Sequence, residues 1–459
     1  MEYISTRNTD KNFSFRDVFL KGLAPDGGLF VPKKIPIYND SKLNELKKLS
    51  YNQLAAKIIL DFCGNEFNED ELIGLIDSSY KNFRVKNVIS IKKLRNINLL
   101  ELFHGPTLAF KDIAMQVIGN MYDIILKKNN SKINIVVATS GDTGAAAIDA
   151  MKNKKNIKIF VLHPYKKISE IQRKFMTTVD SNNVFNLAIN GNFDECQKFV
   201  KLMFSDKDFS STINMSGVNS INWSRIIIQV VYYFFSYFQV AQNNEKINFS
   251  VPTGNFGDIY AGYVAKKMGL PINKLIIATN NNDILKRAIK TGQYKPLEVI
   301  ETISPSMDIQ VASNFERLIF DVCSNDPVIT LKLMDDLNKN GMFVIEKNIL
   351  QKIKESFCSE SLSEEETKNV INKVYKDEGI LIDPHTAIAV GVINKLSLEG
   401  KTVALSTAHP AKFSEAVMKE TNIQPILPES LQHVLSKKEK YEKFSKDISE
   451  IKNYILKKI

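Results

Sequence analysis

The chain has 459 residues, 44% of them hydrophobic, and a formal net charge of +10, which is enough for two or three domains around a sizeable core. Only eight of its 61 basic residues are arginines, and its lysines sit among acids and asparagines as on solvated faces, so a nucleic-acid partner is not expected. Cys63, Cys196, Cys323 and Cys358 form no CxxC pair and no histidine stands at ligand spacing, which argues against a disulfide framework and against a bound metal.

The first residues, Met1-Glu-Tyr-Ile-Ser-Thr-Arg-Asn8, lack a charged-then-apolar leader, and a reducing cytoplasm is the expected setting. Residues 1–90 read as a distinct, mainly helical piece. A turn at Pro25-Asp26-Gly27-Gly28 precedes helical patterns through Leu43–Phe62 and Glu69–Phe83. From about Val88 strand-like runs alternate with helical ones. Ile133–Ala138 and Ile157–Leu162 read as strands flanking a helix at Ala145–Lys152. Ile226–Val240 is the most lipid-like stretch, but it is short and carries Gln229, Ser236 and Gln239, so it is expected as a core helix and not a membrane span. Ile247–Val251, Ile259–Met268 and Leu275–Ala278 repeat the strand–helix–strand order, and Thr402–Leu405 followed by Ala411–Lys419 begins it again. That alternation predicts an α/β fold of parallel sheets covered by helices. In the tail from Lys437, Tyr441, Phe444, Ile448, Ile451 and Ile455 recur at helical spacing, and their face is expected to pack on the body of the protein.

Ligands of α/β folds gather where strand ends meet helix N-termini, and three such loops carry unusual residues. In Thr139-Ser140-Gly141-Asp142-Thr143-Gly144 the glycines allow close approach of a ligand, and the amides opening the next helix attract an anion. The local alternative is a tight turn with Asp142 or Thr143 as N-cap. Pro252-Thr253-Gly254-Asn255-Phe256-Gly257-Asp258 matches neither dinucleotide nor triphosphate loops, yet it can wrap backbone amides around one phosphate group. Asp258 would repel phosphate, so it is expected to cap the helix or turn outward while its N–H binds. In Ser406-Thr407-Ala408-His409-Pro410-Ala411-Lys412, Thr407 offers a hydroxyl at a strand end, and Lys412 begins a helix. His409 is either an anion-facing group or a turn histidine held by Pro410.

Lys111, in His104-Gly-Pro-Thr-Leu-Ala-Phe-Lys-Asp112, stands between Phe110 and an apolar helical pattern. A lysine beside an aromatic ring most often snorkels to water. A buried one loses its charge and becomes a nucleophile able to form a Schiff base. A buried amine, a phosphate loop, a hydroxyl for a ring nitrogen and a second anion loop together describe pyridoxal phosphate better than any nucleotide.

These segments resemble those of the threonine synthases. So do Gly22-Leu-Ala-Pro-Asp-Gly-Gly-Leu-Phe-Val-Pro32, Asn222-Trp-Ser-Arg225 and Asp383-Pro-His-Thr-Ala387, and the matches run in order from about residue 2 to 420. The chain is similar to the longer branch of that family, with an extended N-terminal domain. The resemblance implies an N-terminal domain at 1–90, a catalytic region at 91–425 built of two parallel-sheet lobes, and a C-terminal helical tail at 426–459. It also implies conversion of O-phospho-L-homoserine and water to L-threonine and phosphate. Lys111 would hold the cofactor and move protons, Gly254, Asn255, Phe256, Gly257 and Asp258 would surround its phosphate, and Thr407 would bond its ring nitrogen. Ser140, Gly141, Asp142, Thr143 and Gly144 would receive the substrate carboxylate, with Arg225 and Lys412 as cations for the substrate phosphate. A monomer or homodimer without nucleic-acid or membrane partners is expected. The alternative within the same cofactor class is a lyase or dehydratase acting on a hydroxy- or phospho-amino compound.

Overall fold

Two β-sheets frame the computed structural model, which describes residues 1–459. The six-stranded sheet runs in the order Phe357–Ser361, Ile272–Thr279, Ile247–Pro252, Thr402–Ser406, Asn98–Glu101, Ser90–Lys93. Its pairings are parallel except the last, where Ser90–Lys93 lies antiparallel to Asn98–Glu101. The five-stranded sheet is wholly parallel, in the order Glu442–Phe444, Val184–Ile189, Ile157–Pro164, Ile133–Ala138, Met215–Ser216.

Side chains alternate faces along a strand, and here each face has its own destination. Ile135, Ile159 and Val161 of one sheet and Phe249, Val251, Leu275, Ile277 and Leu405 of the other join a single central core. Val136, Phe160 and Leu162 point the opposite way into a smaller cluster, and Leu99 and Ala404 into another. The helix Trp223–Val240 lies in the central core, buried on every side from Trp223 to Tyr237. Enclosure by protein therefore accounts for its lipid-like composition, and no helix is long and apolar enough to cross a membrane.

The N-terminal region carries helices Phe15–Lys21, Asp40–Leu46, Tyr51–Cys63 and Glu69–Tyr80, with a short antiparallel pair, Tyr3–Ser5 and Phe30–Pro32. The continuous helical pattern expected over Leu43–Phe62 is two helices. Ser50 and Gln53 form a capping box that starts a new helix at Tyr51.

The tail departs from a purely helical reading. Glu442–Phe444 is a strand at the edge of the five-stranded sheet beside Leu187–Ile189, between a one-turn helix at Glu429–Gln432 and the helix Ile448–Lys458. The open edge of Val184–Ile189 offers backbone partners to the tail, and three residues of pairing outweigh the weak local helix preference. Phe444, Ile451 and Ile455 pack with Leu187, Ile189, Phe199 and Met203.

Candidate active site

Four segments of interest leave the carboxyl ends of parallel strands: 102–111 after Asn98–Glu101, 139–144 after Ile133–Ala138, 253–258 after Ile247–Pro252 and 407–412 after Thr402–Ser406. The first and last are joined by backbone. Phe110 N–H donates to the Thr407 carbonyl at 2.8 Å, and His409 N–H to the Leu108 carbonyl at 3.0 Å.

Lys111 opens the helix Lys111–Lys128 and does not snorkel: it is only 9% exposed. Its Nζ lies 3.3 Å from Asp142 Oδ2 and 4.9 Å from the centre of the Phe110 ring. Burial pushes its pKa down; Asp142 opposes that, while Lys412 and Arg225 push it further down. Asp142 is the hub of this corner. Its Oδ1 lies 2.6 Å from Lys412 Nζ and accepts Gln172 Nε2 at 2.9 Å. Burial alone would favour its neutral form, yet Lys412 and Lys111 hold its carboxyl well below the usual carboxylate range.

These contacts correct two expectations. The Lys412 ammonium is not free for a substrate phosphate, since it is fully buried on Asp142 and donates to the Thr107 carbonyl at 2.7 Å. It also lies in a 3-10 turn, Pro410–Phe413, ahead of the helix that begins at Ser414. The Asp142 side chain is likewise turned to two ammonium groups and an amide, which leaves its backbone N–H as the part able to meet an anion. Neither Asp142 nor Thr143 caps its helix, which begins at Asp142 without a side-chain cap. Instead Thr139 Oγ1 accepts the N–H groups of Gly141 and Gly144 at 2.9 Å each. Gly141 has φ +138°, a conformation that requires glycine. Ser140 and Thr143 are half-buried beside it.

In the second loop, a side chain on Gly254 would place its Cβ 2.8 Å from the Ser306 carbonyl oxygen. The Asn255 carbonyl accepts Asn314 N–H at 3.1 Å and Nδ2 at 3.0 Å. Phe256 is buried with φ +64°, a strained conformation for a bulky residue. Helix Gly257–Lys267 follows without a side-chain cap, so its first amides face the turn unclaimed. Asp258 neither caps nor turns outward. Its Oδ1 accepts the hydroxyls of Tyr232 at 2.5 Å and Tyr233 at 2.9 Å, while Oδ2 is buried without a partner. Burial pushes its pKa up to about 6, against the two phenols, Arg225 and Lys111. Rotation onto the helix Trp223–Val240 is what keeps this carboxylate out of the loop.

Thr407 is buried, and its carbonyl is held by Phe110. Arg225 is 4% exposed and its Nε is buried without a partner. Burial pushes its pKa down to about 10, although Tyr232 and Asp258 favour the cation. A buried guanidinium with no acid in ion-pair contact is costly unless an anion arrives.

The other flagged residues are structural. Asp112 accepts Thr107 N–H at 2.8 Å and its hydroxyl at 2.6 Å, which shapes the loop before Lys111. His104 bonds Ser90 Oγ at 2.8 Å and Glu101 at 3.2 Å. His409 is a turn histidine: its Nδ1 accepts Ala411 N–H at 3.2 Å, and burial pushes its pKa down to about 4. Sequence reading missed Thr139 and Gln172 as partners of the anion loop. The threonine stood in view at the end of a strand, whereas nothing local marks Gln172.

This donor set fits pyridoxal phosphate. The buried amine suits its aldehyde, the uncapped helix start behind Gly254 suits its phosphate, and the Thr407 hydroxyl suits its ring nitrogen. Family profiles agree along the chain: "Threonine synthase N terminus" matches residues 2–80, "Pyridoxal-phosphate dependent enzyme" 92–336 and "Threonine synthase, C-terminal" 386–455. A threonine synthase of Pseudomonas aeruginosa is 41% identical over 99% of this chain and 98% of its own length. One of Saccharomyces cerevisiae is 42% identical over 99% and 97%. The crystal structure of PLP-bound threonine synthase from Brucella melitensis superposes with a TM-score of 0.97 at 42% identity, covering 100% of this chain and 99% of that one. With likeness of that extent in both sequence and fold, the chain belongs to the threonine synthase family of pyridoxal-phosphate-dependent enzymes.

Proposed function

We propose that the chain converts O-phospho-L-homoserine and water to L-threonine and phosphate at the site around Lys111. The observation that carries this is the meeting of two cationic groups in one buried corner: an amine with a lowered pKa, held by Asp142, and a guanidinium with an unpartnered nitrogen and no acid in ion-pair contact. One amine and one phosphate loop suffice for a pyridoxal-phosphate enzyme. A further buried cation is what a phosphorylated substrate adds to that requirement.

When bound, pyridoxal phosphate supplies an electron sink for bonds at the substrate's α carbon. Lys111 would hold the cofactor, and its freed amine would take protons from Cα and Cβ and deliver them to Cγ, which becomes the methyl group, and back to Cα. Burial lowers the pKa of the amine, which eases its deprotonation, and Asp142 at 3.3 Å accepts a hydrogen bond from its ammonium form. The amides of Gly254, Asn255, Phe256, Gly257 and Asp258 would hold the cofactor phosphate, and the Thr407 hydroxyl would bond the ring nitrogen without a full charge. Ser140, Thr143 and the Asp142 N–H bind the substrate carboxylate, on a turn that Gly141 and Gly144 shape through their bonds to Thr139. Arg225 meets the substrate phosphate, which leaves from Cγ, and water then adds at Cβ.

The test is an assay of purified protein with O-phospho-L-homoserine that follows phosphate and threonine together. Equal release of both is expected. Phosphate without threonine would leave a lyase and overturn the synthase reading.

A further inference from the structure

We propose that Asp383, His385 and Thr386 are positioning residues that brace both halves of the cofactor cradle, the turn at Gly254 and the strand end at Thr407. The proposal rests on the reading above that these two places hold the phosphate and the ring.

Asp383 is fully buried and caps the helix Pro384–Ile393, its Oδ1 accepting Thr386 N–H at 3.1 Å and its Oδ2 accepting His385 N–H at 3.0 Å. A cap needs nothing more. Here the carboxylate also engages two side chains that contribute nothing to the cap: His385 Nδ1 at 2.6 Å and the Thr386 hydroxyl.

Each of those side chains leads to one half of the cradle. On the first branch, Ser306 N–H donates to His385 Nε2 at 3.3 Å. A backbone amide can only donate, so Nε2 carries no proton and Nδ1–H donates to Asp383. His385 is thereby fixed in one tautomer with both nitrogens occupied. The residue it holds, Ser306, is the one whose carbonyl oxygen lies against Gly254, 2.8 Å from where a Cβ would stand. His385 therefore holds Ser306 by its N–H while the carbonyl of the same residue backs the Gly254 turn. On the second branch, the Thr386 proton goes to Asp383, so Thr386 Oγ1 accepts the hydroxyl of Ser406 at 3.0 Å. Ser406 is buried, ends its strand, and immediately precedes Thr407. One carboxylate thus orients two arms, and all three residues are at most 3% exposed.

The experiment uses the full-length holoenzyme and reads cofactor dissociation, the phosphorus NMR resonance of the bound phosphate, and the visible absorbance of the bound cofactor. His385→Asn can keep a donor on Asp383 but cannot reach Ser306, while His385→Gln can place an amide oxygen where Nε2 accepts. His385→Asn is expected to weaken cofactor binding roughly threefold to tenfold, the worth of one hydrogen bond. It should also shift the phosphorus resonance while the visible band stays in place, and His385→Gln should restore most of both. Thr386→Val should move the visible band and spare the phosphorus resonance. Equal damage from His385→Asn and His385→Gln, or wild-type affinity and resonance in His385→Asn, would overturn the proposal. Gly254→Ala separates the two levels of argument. If it leaves cofactor binding intact, the placement of the phosphate fails; if it weakens binding while His385→Asn does not, the brace alone fails.

Discussion

Two buried groups set the chemistry of this corner, and each makes a distinct demand on its surroundings. Arg225 has no acid in ion-pair contact and one unpartnered nitrogen. Arg225→Gln removes the charge but keeps a polar head. Steady-state kinetics should show KM for the phosphorylated substrate rising by about tenfold or more, the value of a charge-assisted bond, with a smaller change in kcat. A loss confined to kcat would place Arg225 away from the phosphate. Asp258 makes its demand on pH. Its pKa is raised from 3.8 to about 6 by burial, so between those values the folded state holds a proton that the unfolded chain has released. The stability it contributes is therefore fully present below about pH 4 and is lost as pH rises through about 6. Asp258→Asn lacks that titration. In cofactor-stripped protein, wild type should lose up to about 3 kcal/mol relative to the variant between pH 4 and pH 7, as read by urea unfolding. Parallel curves for the two proteins would show that Asp258 does not titrate there. The sequence placed Asp258 beside the phosphate loop but not its orientation, because Tyr232 and Tyr233 lie on another helix. The same holds for Lys412, whose partner Asp142 is 270 positions away. Local patterns identify residue types at strand ends; they do not say which distant side chain neutralises them.

At the level of elements, long alternating runs were legible and short pieces were not. Ile133–Ala138 and Ile157–Pro164 stand out because runs of apolar residues face cores on both sides of a sheet, and Ile247–Pro252 because Ile247, Phe249 and Val251 alternate onto the central core. Glu442–Phe444 has one buried residue in three and is a strand only because the edge beside Leu187–Ile189 is there to pair with. That strand and the helix behind it close the outer face of the five-stranded sheet, with Ile451 and Ile455 fully buried. Ile455→Ala is expected to cost about 2–4 kcal/mol in chemical unfolding. Removal of residues after 436 should cost more and leave a protein that aggregates, since an exposed sheet edge and an apolar face appear together. Turnover by the folded fraction of Ile455→Ala should stay near wild type, because the tail contributes no group to the corner around Lys111. A variant with native stability would show the tail to be loosely attached.

For the whole molecule, the question is whether residues 1–90 are a unit of their own. They read as a separate piece because their composition is helical and the strand alternation begins only at about Val88. Packing joins them to the rest: Tyr3, Phe19, Phe30, Leu54, Phe62 and Ile76 lie in the same core as Ile135, Phe249 and Val403. Polar links tie the same junction. Arg7 reaches Glu316 at 2.8 Å, Thr6 donates to Glu316 at 2.6 Å, and Arg317 Nε donates to the Phe30 carbonyl at 3.0 Å. Trp223, the only tryptophan, stands at this junction, with ring centres of Tyr3 at 6.4 Å, Phe62 at 6.1 Å and Tyr260 at 6.4 Å. It begins the helix that carries Arg225, so packing by the N-terminal region bears directly on the corner around Lys111 and Arg225. A shared core melts as one unit. In cofactor-stripped protein, tryptophan fluorescence, which reports the junction, and far-UV circular dichroism, which reports all helices, should therefore give the same urea midpoint. A chain that starts at residue 90 should fail to fold, having exposed the surface that Tyr3, Phe19 and Phe62 cover. A fluorescence transition completed before the helical signal falls would show instead that the N-terminal region detaches first and that the junction around Trp223 is the weak seam of the molecule.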